Sequence, residues 1–167
     1  MTLQQVIRRV HYWLSLAVLA PAVVIFASGL LLQSKKLVGW IQPPEKRGAS
    51  GPPQVTFAEA LQRAQAIPEL NVKTWGDVER VDVRPGKGML KIIAKNRWEA
   101  QLDAATGEVL QVAYRRSDVI ESLHDGSWFS GWVKSGLFLP TAGLLVVMWG
   151  TGVYLFVLPF LRRRRKV

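Results

Sequence analysis

The chain has no cysteine. That excludes a disulfide, a thiolate metal site, thioether-attached haem and a cysteine nucleophile. Histidine is nearly as scarce: His11 and His124 are the only two. There is no His-Glu-x-x-His pair, no glycine-rich phosphate loop and no Ser-His-Asp order with motif support, so no catalytic constellation is legible. Charge is missing too, from two long stretches. Residues 11–33 run for 23 positions and residues 135–161 for 27 without Asp, Glu, Lys or Arg. A hydrocarbon core about 30 Å thick needs roughly 20 apolar residues as a helix. Both stretches are long enough to span it.

What is present at the two ends is positive charge. Arg8 and Arg9 precede the first apolar run, and Arg162, Arg163, Arg164, Arg165 and Lys166 follow the second. These seven account for most of the formal net charge of +10. Basic flanks close to membrane spans are retained in the cytoplasm. The sequence therefore predicts a multi-pass protein of the bacterial inner membrane, with both termini cytoplasmic and residues 35–134 periplasmic. Lys35, Lys36 and Lys134 oppose this orientation, so it rests mainly on the C-terminal five. Nucleic acid is not the expected partner, because the charge sits on two short flanks and no folded module carries a basic motif. The expected partner of those flanks is the lipid bilayer and its anionic surface.

The organisation follows from composition. Residues 1–34 read as a cytoplasmic lead-in and first transmembrane helix, with Pro21 near its middle as a potential kink. Residues 35–54 are rich in Pro and Gly and read as a linker. Residues 55–116 read as a small α+β domain. Thr56 and Glu59 form a capping-box pattern, Phe57, Leu61 and Ala64 recur at helical spacing, and four alternating strand segments follow with turns between them. The simplest architecture is one helix packed on a four-stranded antiparallel meander. Its core is small, so lipid or partner contact is expected to support the sheet. Residues 117–134 form a connecting helix, with Ser117 as candidate cap, and an aromatic interfacial segment. Residues 135–161 are the second span, and residues 162–167 a basic cytoplasmic tail. Trp13, Trp40, Trp128 and Trp132 suit the membrane interfaces, Trp149 suits helix packing, and Asp125 suits a turn or cap. Neither span contains a G-x-x-x-G motif.

Five short motifs occur in order. They are His11-Tyr12-Trp13 opening the first span, Ser28-Gly29-Leu30-Leu31-Leu32 closing it, and Asp103-Ala104-Ala105-Thr106-Gly107-Glu108-Val109 ending the meander. Leu123-His124-Asp125-Gly126 then precedes the second span, and Thr151-Gly152-Val153-Tyr154-Leu155 lies late in it, before Pro159 and the arginines. Together they closely resemble the PepSY-associated transmembrane family, over almost the whole chain. Larger members have four or more spans and further histidines, and some resemble haem-containing inner-membrane reductases that release iron from siderophores. This chain is similar to half of that architecture. The resemblance implies a fold of two transmembrane helices flanking an extracytoplasmic PepSY domain. It also implies haem b as cofactor, with His11 and His124 in the ligand positions. Soluble relatives are associated with restraining peptidases, which implies a second class of role: a non-catalytic membrane-anchored scaffold or accessory subunit.

Neutral imidazole is a good axial ligand for haem iron. The predicted topology puts His11 inside and His124 outside, a helix length apart, so one chain cannot place both on one iron. Haem binding then requires a homodimer that pairs each histidine with its copy, or a partner membrane subunit. The competing reading leaves both as interfacial side chains, His11 in an aromatic belt and His124 as a cap or loop hydrogen-bonder.

Overall fold

The computed structural model describes residues 2–49 and 51–164, the last four of these as backbone only. The basic tail of residues 165–167 lies outside the described residues. The chain divides into two compact units, one of residues 1–31 and 120–167, the other of residues 32–119.

The first unit is built on long apolar helices. α1 (Leu3–Gln33) runs unbroken through Pro21, so the expected kink leaves the helix continuous. Its serines return their hydroxyl protons to the helix itself. Ser15 Oγ donates to the His11 carbonyl at 2.7 Å, and Ser28 Oγ to the Val24 carbonyl at 2.5 Å. Inside hydrocarbon no water can satisfy a hydroxyl, so this back-bonding is the available solution. α3 (Arg116–His124) enters the unit from the sheet. A short turn α4 (Gly131–Val133), capped by Ser130 at 3.1 Å, leads through one π turn (Lys134–Phe138) into α5 (Leu139–Arg164). The mean hydropathies of the two candidate spans are 2.4 and 1.9. Leu19, Val23 and Phe26 on α1, and Val146, Trp149 and Phe156 on α5, are exposed. Such surface is a liability in water and an ordinary one in lipid. Trp149, expected in packing, is 72 % exposed and belongs to this outer surface.

The second unit is the α+β domain. β1 (Val78–Arg84), β2 (Met89–Ala94), β3 (Trp98–Asp103) and β4 (Val109–Tyr114) form an antiparallel meander in the order β1-β2-β3-β4. α2 (Phe57–Gln65) starts at the expected capping box: Thr56 Oγ1 accepts from the Glu59 N–H and Glu59 accepts from the Thr56 N–H. The face it buries holds the expected Leu61 and Ala64, adds Ala60 and leaves out Phe57. Ala60 and Ala64 are fully buried against Leu90, Ile92, Ala100 and Leu102, while Phe57 is exposed and meets Trp75 edge-on. Two alanines let the helix backbone approach the sheet closely, which a phenylalanine on that face would prevent.

The other face of the sheet is covered by the chain itself. The segment expected as a linker crosses it as a strap. The Lys46 N–H donates to Gln101 Oε1 at 2.8 Å, Gln101 Nε2 donates to the Pro44 carbonyl at 3.1 Å, and the Ala49 N–H donates to Asp103 Oδ2 at 2.6 Å. Glu45 pairs with Lys87 and with Lys91, the latter at 3.1 Å. Beneath the strap lies a charged layer. Lys91 and Glu99 are almost fully buried, Arg115 Nη1 donates to Glu99 Oε2 at 2.6 Å, and Arg115 Nε to Asp118 Oδ2 at 3.0 Å. Every β2 residue is buried: Leu90, Ile92 and Ala94 face the core with α2, and Met89, Lys91 and Ile93 share the other face, Lys91 beneath the strap. Gly48 is required where the strap crosses the β1–β2 turn, because a Cβ there would lie 2.1 Å from the Gly88 carbonyl oxygen. Ser117, the candidate cap, lies inside α3, and its N–H donates to the Ile41 carbonyl at 2.7 Å.

Acid should loosen this strap. Its ion pair with Lys87 is the main reason that the Glu45 carboxyl sits at about 2, against an ordinary 4.5. Backbone N–H donors, that of Ala49 first, hold Asp103 low as well. A carboxyl lowered by folding stabilises fully above its unfolded value and loses that contribution as pH falls through the folded one. The Lys46 and Ala49 amides should therefore be protected from hydrogen exchange at pH 7 and lose protection between pH 4.5 and about 2. Unchanged protection at pH 2, after correction for intrinsic rate, would contradict the Glu45 tether.

Candidate functional site

The two histidines sit at two separate stations, both within the helical unit. At the first, His11 of α1 meets Thr151 of α5, with Nδ1 2.8 Å from Oγ1. At the second, His124 at the end of α3 meets α1, with Nδ1 3.0 Å from Ser28 Oγ and 3.0 Å from the Ile25 carbonyl oxygen. α1 and α5 thus run antiparallel. Seventeen residues separate the two levels on α1, about 26 Å of helix rise. The expected separation of His11 and His124 is what the structure shows.

The stations share one construction, a Ser/Thr-Gly dipeptide against an imidazole. The hydroxyl contacts Nδ1, and the following glycine lies against the ring, leaving room for it in the case of Gly29. A Cβ on Gly29 would lie 3.3 Å from His124 Cε1, tighter than ordinary contact, and a Cβ on Gly152 would lie 3.7 Å from His11 Cε1. Four of the five sequence motifs therefore meet in pairs. The opening of the first span meets the Thr-Gly of the second, and the Ser-Gly closing the first span meets the Leu-His-x-Gly segment.

Proton accounting assigns the tautomers. Thr151 Oγ1 donates its one proton to the Met148 carbonyl at 3.0 Å, and Ser28 Oγ gives its own to Val24. With each proton on its own helix carbonyl, the hydroxyl accepts from the imidazole, and at His124 the Ile25 carbonyl can only accept as well. Nδ1 is then the protonated nitrogen in both rings, shared at His124 between Ser28 and the Ile25 carbonyl. Nε2 carries the lone pair. Imidazoles that bind metal through one nitrogen are commonly held by a hydrogen bond from the other. Both rings are half-buried. At each station the imidazole is the side chain that would hold haem iron, which neutral imidazole ligates well. Among the described residues no group of three or more His, Asp or Glu forms a cluster for a free metal ion.

The loop after His124 is fixed by packing. Gly126 has φ +79°, and a Cβ there would lie 2.5 Å from the Phe138 ring. Asp125 takes the expected turn role, its Oδ1 accepting from the Ser127 N–H at 2.9 Å and its Oδ2 pairing with Lys134 at 2.5 Å. Partial burial pushes this carboxyl up, but Lys134 and Ser127 outweigh that and hold it at about 2. Gly126→Ala should cost about 1–3 kcal/mol from strain and overlap, and should weaken the His124–Ser28 contact. Thermal unfolding in detergent with the imidazole NMR signals would show it, and an unchanged His124 environment would contradict it.

These paired motifs agree with the comparison of the whole chain. Residues 8–167 match the family described as the PepSY-associated TM region. The chain belongs to that family. Neither the curated proteins nor the solved structures gave a match. This PepSY-associated protein is a membrane protein: its two apolar helices and its family agree. The sequence pointed to His11 and His124 but missed their partners Ser28, Gly29, Thr151 and Gly152. The signal was the repeated Ser/Thr-Gly dipeptide, once in each span.

Proposed function

We propose that this PepSY-associated protein holds haem b at His11 and His124 and carries electrons across the bacterial inner membrane, toward ferric iron or a ferric siderophore in the periplasm. The observation that carries the proposal is the pair of matching stations, each with Nδ1 within hydrogen-bond distance of a hydroxyl oxygen, an arrangement that would leave Nε2 as the ligating nitrogen. Haem bound there would supply a one-electron couple at each membrane face. The chain's own residues do the rest. Thr151 and Ser28 hold the rings through Nδ1, Gly29 leaves room for the His124 ring, and the lipid-facing side chains of α1 and α5 exclude water. Each station offers one imidazole, so a site with two imidazoles would draw the second from another chain, either a second copy or a partner membrane subunit. The cytoplasmic arginines set the orientation, with both termini inside and the sheet domain outside.

The test is electron transfer across a sealed bilayer. Haem-loaded protein in liposomes that enclose a reductant should reduce external ferric chelate, and protein-free liposomes should not. Equal rates in the two would overturn the proposal.

A second reading is favoured by a polar cleft of about 480 Å³ in the PepSY domain, lined by Gln54, Glu59, Gln62, Arg63 and Thr106. It makes the domain a dock for a partner protein, a peptidase among them, with the spans as anchor. Co-purification from membranes in gentle detergent separates the readings: a stoichiometric partner without haem favours the dock.

A further inference from the structure

The sheet has two free edges, and they differ. β1 carries Glu79, Arg80, Asp82 and Arg84 and is distorted between Val78 and Arg80. Charge and irregularity of this kind block pairing with another strand. β4 reads Val-Leu-Gln-Val-Ala-Tyr, with no charge and no proline. Its outward groups follow from the ladder. The Arg115 N–H donates to the Arg97 carbonyl and the Asp103 N–H to the Glu108 carbonyl, which marks the hydrogen-bonded levels. The pairs Trp98↔Tyr114 and Ala100↔Val112 fall between those levels. The N–H and C=O of Val112 and Tyr114 therefore point away from β3. Among the described residues, no backbone group bonds to them. The same strand holds the one buried side-chain atom that has no hydrogen-bond partner among the described residues, Gln111 Oε1.

We infer that β4 pairs antiparallel with β4 of a second copy of this chain, with the twofold axis at Ala113. The choice of occupant rests on the reading above, in which a site with two imidazoles draws one from another chain. The strand also suits its own copy: two uncharged edges meet without like-charge repulsion, and antiparallel pairing of identical strands is self-complementary. Placing the axis at Ala113 engages all four outward groups of Val112 and Tyr114 in each copy. It sets Ala113 beside its own copy at a non-hydrogen-bonded level, the close-approach position of an antiparallel pair, where a small side chain fits.

The absence of cysteine makes the test direct. Single cysteines are placed at each position from 109 to 114, and at Val81 on β1 as control, in the full-length chain in native membranes. After mild oxidation, Ala113→Cys should give the strongest disulfide-linked dimer and Val81→Cys none, because the close pair satisfies disulfide geometry. Val112→Pro added to Ala113→Cys removes one outward N–H without touching the β3 ladder, and should abolish the cross-link while circular dichroism stays unchanged. No cross-link from 109 to 114, or a maximum away from 113, overturns the pairing. Haem content of the same samples separates the two ideas. A cross-link without haem keeps the edge pairing and sinks the haem reading, and haem without a cross-link does the reverse.

Discussion

Arg115→Ala should destabilise the PepSY domain by about 3–5 kcal/mol, the range for removing one partner of a buried ion pair. Arg115 is 6 % exposed and Glu99 is 0 % exposed. Without the guanidinium, Glu99 retains Lys91 only at 4.0 Å and the Gln101 amide at 2.7 Å, which leaves a buried carboxylate without a close cation. Asp118 loses its contact at the same time. Replacing both partners should cost far less than the sum of the single changes. Glu99→Leu with Arg115→Met removes the charges together, and a buried pair is often replaceable by apolar groups of similar volume. Exchange protection of the β2 and β3 amides under added denaturant measures both. A loss under 1 kcal/mol for Arg115→Ala would show that the charged layer is hydrated and not part of the core.

His11→Ala and His124→Ala should each remove haem from one station, so that each variant retains about half of the wild-type haem and the double variant retains none. Loss of an imidazole is not repaired by another, because His11 and His124 are the only histidines in the chain. The hydroxyl partners give a graded control. Thr151→Val keeps the shape at His11 and removes the acceptor for Nδ1–H, and Ser28→Ala does so at His124, where the Ile25 carbonyl remains. Loss of such an orienting bond typically weakens metal affinity about 10–100-fold. Thr151→Val should therefore weaken its station more than Ser28→Ala. Haem titration monitored by absorbance reads all of these, and equal affinity in Thr151→Val would remove the positioning role of Thr151.

Much of the architecture was legible from charge and periodicity. The two uncharged stretches gave the spans, alternation gave the four strands, and Thr56 with Glu59 gave the start of α2. The sheet's second face was not legible. Residues 41–49 have the composition of a linker, and nothing in Gln-Pro-Pro-Glu-Lys-Arg-Gly says that its amides will meet Gln101 and Asp103, more than fifty residues later. Lys91, Glu99 and Gln101 alternate like a solvated face, and only the strap makes that face interior. On α2, Leu61 and Ala64 were placed correctly and Phe57 was not: it has the stronger apolar signal, but Ala60 and Ala64 have the size that contact with a sheet demands. For the site, His11 and His124 stood out because histidine is so rare in this chain. Their partners did not, because Ser and Thr inside an apolar helix usually do no more than bond back to their own carbonyls. Here they do that and also accept from a ring.

The most direct test of the central claim is the visible absorption spectrum of the full-length protein, purified in mild detergent after expression with added haem. The account predicts a Soret band, reduced-minus-oxidised bands of b type, and their loss in the His11→Ala, His124→Ala double variant. A colourless wild-type protein, or bands that survive in the double variant, would contradict it.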